Sequence, residues 1–165
     1  MKRISVAALL SFAAVSAQAP NPLVHEARFS WTIVRGNLTK MADKMPAEFY
    51  SFRPTPEIET FAQRMAHIAG ADLGVCTGLL TNTARPFTRV GGTTKAELVA
   101  ALAQAVDACD HAFDATTDQN AFEQVSSRLG GPFPPEPTRS RLATLNKIWC
   151  ATAMRSMDTC ASICG

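Results

Sequence analysis

The stretch VHEARFSWTIVRGNLTKMADKM, residues 24–45, carries the pattern that decides the fold. Its apolar residues recur at alternating steps of three and four, the 3.5-residue period of a helix that packs along its length in a bundle. They are Val24, Ala27, Trp31, Val34, Leu38, Met41 and Met45. Because Asn21-Pro22 precedes the stretch and Pro46 follows it, we predict a first helix between these two prolines.

Three further segments have helical patterns. The second begins at Thr55-Pro56-Glu57, where a capping residue, a proline and an acid suit a helix N-terminus. The third begins at the capping box Thr94-Lys95-Ala96-Glu97, and the fourth begins near Thr138. The predicted core positions of these three helices are Ile58, Phe61, Ala62, Met65, Ile68, Ala69, Val75, Cys76 and Leu79; Leu98, Leu102, Ala105, Cys109, Ala112 and Phe113; and Leu142, Leu145 and Trp149. With no alternating strand pattern, the sequence predicts an all-α, antiparallel four-helix bundle.

The first residues have the features of a secretory leader. Lys2 and Arg3 form a basic start, residues 4–15 are apolar, and Ser16-Ala17-Gln18-Ala19 supplies the small residues that signal peptidase prefers. We predict a signal peptide over residues 1–19, cleaved after Ala17 or Ala19, and one domain over residues 22–165. The protein would then be exported to the periplasm or the extracellular space. The apolar run is too short to span a bilayer, and no later segment is long and apolar enough to do so.

The charge balance argues against a nucleic-acid partner. The chain has 16 basic and 14 acidic residues, and removal of Lys2 and Arg3 with the leader leaves 14 of each. A neutral chain lacks the basic surface that nucleic-acid binding requires.

Three histidines are the candidate metal ligands: His25, His67 and His111, one on each of the first three helices. Neutral imidazole suits zinc or nickel, and a bundle core can gather ligands from facing helices. Each histidine alone is more simply explained as structural or exposed. His67 differs because small residues surround it on its helix face (Gly70, Ala71, Gly74 and Gly78), so we expect a close-packed neighbour there and an imidazole that points between helices.

The remaining reactive or charged residues have simpler explanations. Cys76 and Cys109 lie on the apolar sides of neighbouring helices, where we expect buried packing, with a disulfide as the alternative. Asp107 and Asp110 are interpreted as helix-surface charges. The glycosylation sequence at residues 37–39 lies mid-helix and is interpreted as accidental.

The stretch NLTKMADKMPAEFYSFRPTPEIETFAQRMAHIAGAD, residues 37–72, resembles the DinB-like superfamily of four-helix bundles, and in particular its exported bacterial members. The turn KMPAEFYSFRPTPE, the MAHIA around His67, ELVAALAQAVDACD and TRSRLATLN carry the resemblance, which covers about residues 24–147. It implies an up-down-down-up bundle, often a homodimer, with a divalent metal (zinc or nickel) held by three histidines. It also implies a small-molecule substrate, because some members are hydrolases or thiol transferases. His67 occupies the ligand position of the second helix.

The C-terminal region departs from that pattern. The family places its other two ligands on the fourth helix, in a motif like H-x-x-x-[HE]-Y-G, and the residues after Asn146 lack it. Synonymous codons for residues 151–165, read in a shifted frame, encode HRHEEYGHLRVHLR. We therefore predict a frame-disrupted C-terminus and a truncated or irregular fourth helix. The nucleotide sequence of codons 146–165 tests this hypothesis. If no reading frame there encodes HxxEEYG, the hypothesis is wrong.

The sequence leaves three functions open. The first is a metal-dependent enzyme of hydrolase or thiol-transferase type, with His67 as one ligand and an incomplete metal site. The second is a non-catalytic exported bundle that binds a small molecule or a partner. The third is an inactive family member with a disrupted reading frame.

Overall fold

The computed structural model describes residues 22–83, 85, 88–126, 138–148, 150 and 152. Helix α1 spans Pro22–Lys44, a short 3-10 helix spans Ala47–Ser51, α2 spans Phe61–Thr81 and α3 spans Lys95–Asp114. Strands β1 (Gln124–Ser126) and β2 (Thr138–Ser140) form an antiparallel pair. Residues 141–148 form α4, and residues 150 and 152 are also helical. The predicted leader and Trp149 lie outside the described residues.

The predicted packing of α1 is confirmed. Ala27, Trp31 and Leu38 are buried, as is Ala42, which the sequence pattern did not include. Val34, Met41 and Met45 are half-buried. In the described part of the chain, no helix combines the length and the apolar character needed to cross a membrane.

Helices α1 and α3 are antiparallel, and long basic side chains join them at both ends. The Lys95 ammonium, at the start of α3, donates hydrogen bonds to the carbonyls of Asp43 and Met45, where α1 ends. The Arg28 guanidinium, near the start of α1, donates to the Phe113 carbonyl at 2.7 Å, where α3 ends. These three bonds satisfy carbonyl groups at or just beyond helix C-termini, which lack partners within their own helix.

Helices α2 and α3 are parallel neighbours. The early residues Met65 and Leu98 belong to one buried cluster, and the late residues Leu79 and Phe113 belong to another. The fourth helix is antiparallel to α2. Arg141, at its start, donates to the Leu79 carbonyl near the end of α2 at 3.2 Å, whereas Thr152, further along, bonds to Asp72 in the middle of α2. The chain therefore folds as an all-α, up-down-down-up four-helix bundle.

The parallel pair requires a long return connection. Helix α2 has 21 residues and is about 30 Å long. Residues 82–94, which we call the crossover segment, can span about 45 Å when extended. Their described part runs back along α2. The Thr83 carbonyl lies against Gly78 and the Thr88 carbonyl against Gly70, while the Val90 N–H donates to the Ala66 carbonyl at 3.3 Å. The close-packed neighbour predicted from the small residues around His67 is therefore this extended segment at Gly70 and Gly78.

Gly70 and Gly36 form a matched pair for testing this contact. A Cβ on Gly70 would lie 2.2 Å from the Thr88 carbonyl oxygen, whereas a Cβ on Gly36 of α1 meets nothing within 4 Å. We expect Gly70→Ala to lower the free energy of unfolding by about 1–3 kcal/mol, because backbone must move. We expect Gly36→Ala to raise it by about 0.5–1 kcal/mol through helix propensity. Urea unfolding of both variants measures the difference, and equal effects would contradict the close contact.

Two predicted helix starts are wrong. Helix α2 begins at Phe61, because Thr60 and Gln63 form a complete capping box. Residues Thr55–Ile58 form a turn closed by a bond from the Ile58 N–H to the Thr55 carbonyl, so Ile58 is 42% exposed rather than in the core.

The fourth helix begins at residue 141 rather than near Thr138, because Thr138–Ser140 is strand β2. The Ser140 hydroxyl accepts from the Ala143 N–H at 3.2 Å and caps the helix. Strands of three residues are too short to produce the alternation by which a strand is recognised, so the sequence did not reveal the pair. Leu142 and Leu145 are buried as predicted.

Cys76 and Cys109 form a disulfide that joins α2 to α3. The preference for unlinked buried packing is therefore wrong, and the alternative holds. Both cysteines are fully buried in the cluster that also contains Leu145 and Ile148 of α4. The disulfide thus lies in the part of the core that all four helices share.

Asp110 is more than the surface charge predicted for it. Its carboxylate accepts a hydrogen bond from the indole N–H of Trp31 at 2.7 Å and pairs with the Arg35 guanidinium. Trp31 is 1% exposed and stacks on Phe113 with ring centroids 5.6 Å apart. Asp110 therefore satisfies a buried donor of α1 from α3. Asp107, by contrast, is exposed as predicted.

Candidate functional site

His67 lies at the end of the second turn of α2 and is half-buried. The Thr60–Gln63 capping box fixes the start of this helix. The crossover segment contacts α2 at Ala66 and at Gly70, on either side of His67 in sequence. The histidine thus lies on a helix whose start is capped and beside a second piece of backbone.

A charged cluster precedes His67. The Glu59 carboxylate bonds to the Arg89 guanidinium at 2.6 Å and pairs with Arg64 at 3.4 Å, through different oxygens. Burial raises the pKa of the Glu59 carboxyl, but the hydrogen bond from Arg89 and the nearby positive charges outweigh it, so the pKa is lowered. Those charges are Arg64, Arg89 and His67. The Glu59 carboxylate therefore pairs with two arginines, and the cluster has two guanidinium groups for one carboxylate.

The other two histidines lie away from this cluster. His25 is exposed near the start of α1, and His111 is exposed near the end of α3. The His111 ring lies 3.5 Å from the Asp107 carboxylate one turn earlier on the same helix. Within the described ranges, no three histidine, cysteine, aspartate or glutamate side chains come together as a metal site would require.

Asp72 is a buried acid that the sequence reasoning missed. It is 2% exposed, and its carboxylate accepts a hydrogen bond from the Thr152 hydroxyl at 2.9 Å. The signal for it was present, since Asp72 falls four residues from both Ile68 and Cys76 on the apolar side of α2. The bond joins α2 to the end of the described part of the fourth helix. Of residues 151–165, where the frame hypothesis applies, only Thr152 is described, and it is buried.

Comparison with known proteins identifies the family. A profile of the DinB superfamily matches residues 30–147, more than half of the chain. The chain belongs to the DinB superfamily. No curated protein matches it. The matched region includes α2, α3 and the start of α4, and therefore both His67 and the cluster around Glu59.

Proteins of the DinB superfamily are generally associated with a metal, so the question is whether the residues around His67 could hold one. A divalent cation at this position would lie near two guanidinium groups and one carboxylate that already pairs with both. After Asn146, the described residues of the fourth helix are Lys147, Ile148, Cys150 and Thr152. None of them is a histidine or a carboxylate that could act as a metal ligand. These donors do not fit the three-ligand site of a DinB protein.

Proposed function

We propose that this member of the DinB superfamily is a non-catalytic exported bundle that binds a small molecule or a partner. The observation that carries the proposal is the ion-pair cluster beside His67, where Glu59 is committed to Arg64 and Arg89. A carboxylate held by two cations is a poor ligand for a third cation. The leader predicted over residues 1–19 supports export.

The alternative is a metal-dependent enzyme of hydrolase or thiol-transferase type, with zinc or nickel on His67. Family membership and the position of His67 on α2 favour this alternative. An open catalytic site of this kind needs three protein ligands. The described residues bring no three such ligands together, so other residues would have to complete the site. Residues 153–165 contain Asp158, Cys160 and Cys164 but no histidine, so they cannot supply a three-histidine site.

Metal analysis of the purified protein separates the two functions. We expect no stoichiometric zinc or nickel by elemental analysis, and no rise in the melting temperature on adding either metal or a low-molecular-weight thiol. A ligand that binds only the folded state would raise it. His67→Ala and His111→Ala are the matched variants, because His111 is exposed on α3.

One result would overturn the proposal. Stoichiometric zinc or nickel that His67→Ala loses and His111→Ala retains would assign a metal site to this chain. Metal that both variants retain would leave His67 without a ligand role.

A further inference from the structure

Residues 88–90 of the crossover segment, which we call the strap, lie along α2 next to His67. The Thr88 carbonyl lies against Gly70, and the Val90 N–H donates to the Ala66 carbonyl at 3.3 Å. Ala66 and Gly70 are one residue before and three residues after His67, so the strap passes along the same stretch of helix. Thr88 and Arg89 are exposed, whereas Val90 is half-buried and packs against the core cluster of Met65.

The strap has few bonds to hold it. Within the described ranges, the bond from the Val90 N–H to Ala66 is the one backbone hydrogen bond between strap and α2. The strap residues belong to no helix or strand. Segments with few hydrogen bonds and exposed side chains open locally at low cost compared with global unfolding.

Arg89 supplies the side-chain link. Its guanidinium bonds to Glu59 at 2.6 Å, just before the Thr60 cap of α2, and Glu59 also pairs with Arg64. The ion pair therefore connects the middle of the strap to the capped start of α2. Val90 anchors one end of the strap in the core.

We propose that the strap is a gate over the His67 face of α2, and that the Arg89–Glu59 ion pair is its latch. When the pair breaks, Thr88 and Arg89 lift from Gly70 while Val90 remains packed, and solutes reach the His67 imidazole. The gate works in the same way whether or not His67 binds a metal, so its failure and the failure of the proposed function are distinguishable.

The test measures access to His67 in the full folded chain. Diethyl pyrocarbonate modifies neutral imidazole, and mass spectrometry gives the rate at each histidine. We expect Arg89→Ala to raise the modification rate of His67 and the hydrogen-exchange rate of the Val90 amide by roughly three- to tenfold, as loss of a surface ion pair allows. His25 and His111, which are exposed, serve as internal references and keep their rates.

The control is Arg53→Ala, because Arg53 is exposed and, among the residues that the structure describes, its guanidinium bonds to the Pro56 carbonyl nearby in sequence. Arg89→Lys keeps the charge, and we expect it to restore part of the protection. Unchanged rates at His67 and Val90 in Arg89→Ala would overturn the gate. So would equal increases at all three histidines, which would indicate general loosening, or the same increases in Arg53→Ala.

Discussion

Replacing Cys76 and Cys109 together by alanine is expected to lower the free energy of unfolding by about 3–4 kcal/mol. The disulfide closes a loop with a sequence separation of 33 residues. That loop contains the entire crossover segment. Cross-linking removes conformations from the unfolded chain, and a loop of this length falls between those for which about 3 and 4.7 kcal/mol are expected.

The measurement is urea unfolding of the double variant against the parent under oxidising conditions. Cys150→Ser is the control, because Cys150 lies outside the disulfide and is half-buried on the fourth helix. We expect the control to stay within about 0.5 kcal/mol of the parent. Adding a reductant to the parent should reproduce the double variant. A loss below about 1 kcal/mol in the double variant would mean that the disulfide does not stabilise the protein by restricting the unfolded chain.

The bundle was predictable from the sequence because its helices have strong periodic signals. The seam of α1 and the capping box at Thr94 placed two helices correctly. The start of α2 was predicted too early. Thr55-Pro56-Glu57 has residues typical of a helix N-terminus, but the capping box that begins the helix follows at Thr60–Gln63. Two adjacent capping signals compete, and only packing in three dimensions decides between them.

The candidate site was less predictable than the fold, because its contacts join residues far apart in the chain. Glycines around His67 predicted a close neighbour, but not that the neighbour is the crossover segment. Arg89 and Glu59 are 30 residues apart, and neither belongs to a sequence pattern. Outside the site the same is true of the hydrogen bond between Trp31 and Asp110, which are 79 residues apart in the chain. Periodicity shows which face of a helix is buried, whereas polar partners across helices depend on helix order and register.

Trp31→Ala is expected to lower the free energy of unfolding by about 3–5 kcal/mol. The side chain is 1% exposed and stacks on Phe113 with an interplanar angle of 12°. Its loss removes a large buried area and leaves a cavity between α1 and α3, which cannot close without moving both helices. Thermal and urea unfolding, followed by far-UV circular dichroism, measure the change.

A second variant of Trp31 separates the contribution of the ring from that of its N–H group. Trp31→Phe keeps an aromatic ring but removes the donor that bonds to Asp110 at 2.7 Å, and we expect a loss of about 1–2 kcal/mol. Asp107→Ala is the control on α3, the helix of Asp110, since the Asp107 carboxylate is exposed, and we expect a change within about 0.5 kcal/mol. If Trp31→Phe costs as much as Trp31→Ala, the hydrogen bond to Asp110 rather than the buried ring joins α1 to α3. If Trp31→Phe costs nothing, the Arg35–Asp110 pair holds the contact without the indole.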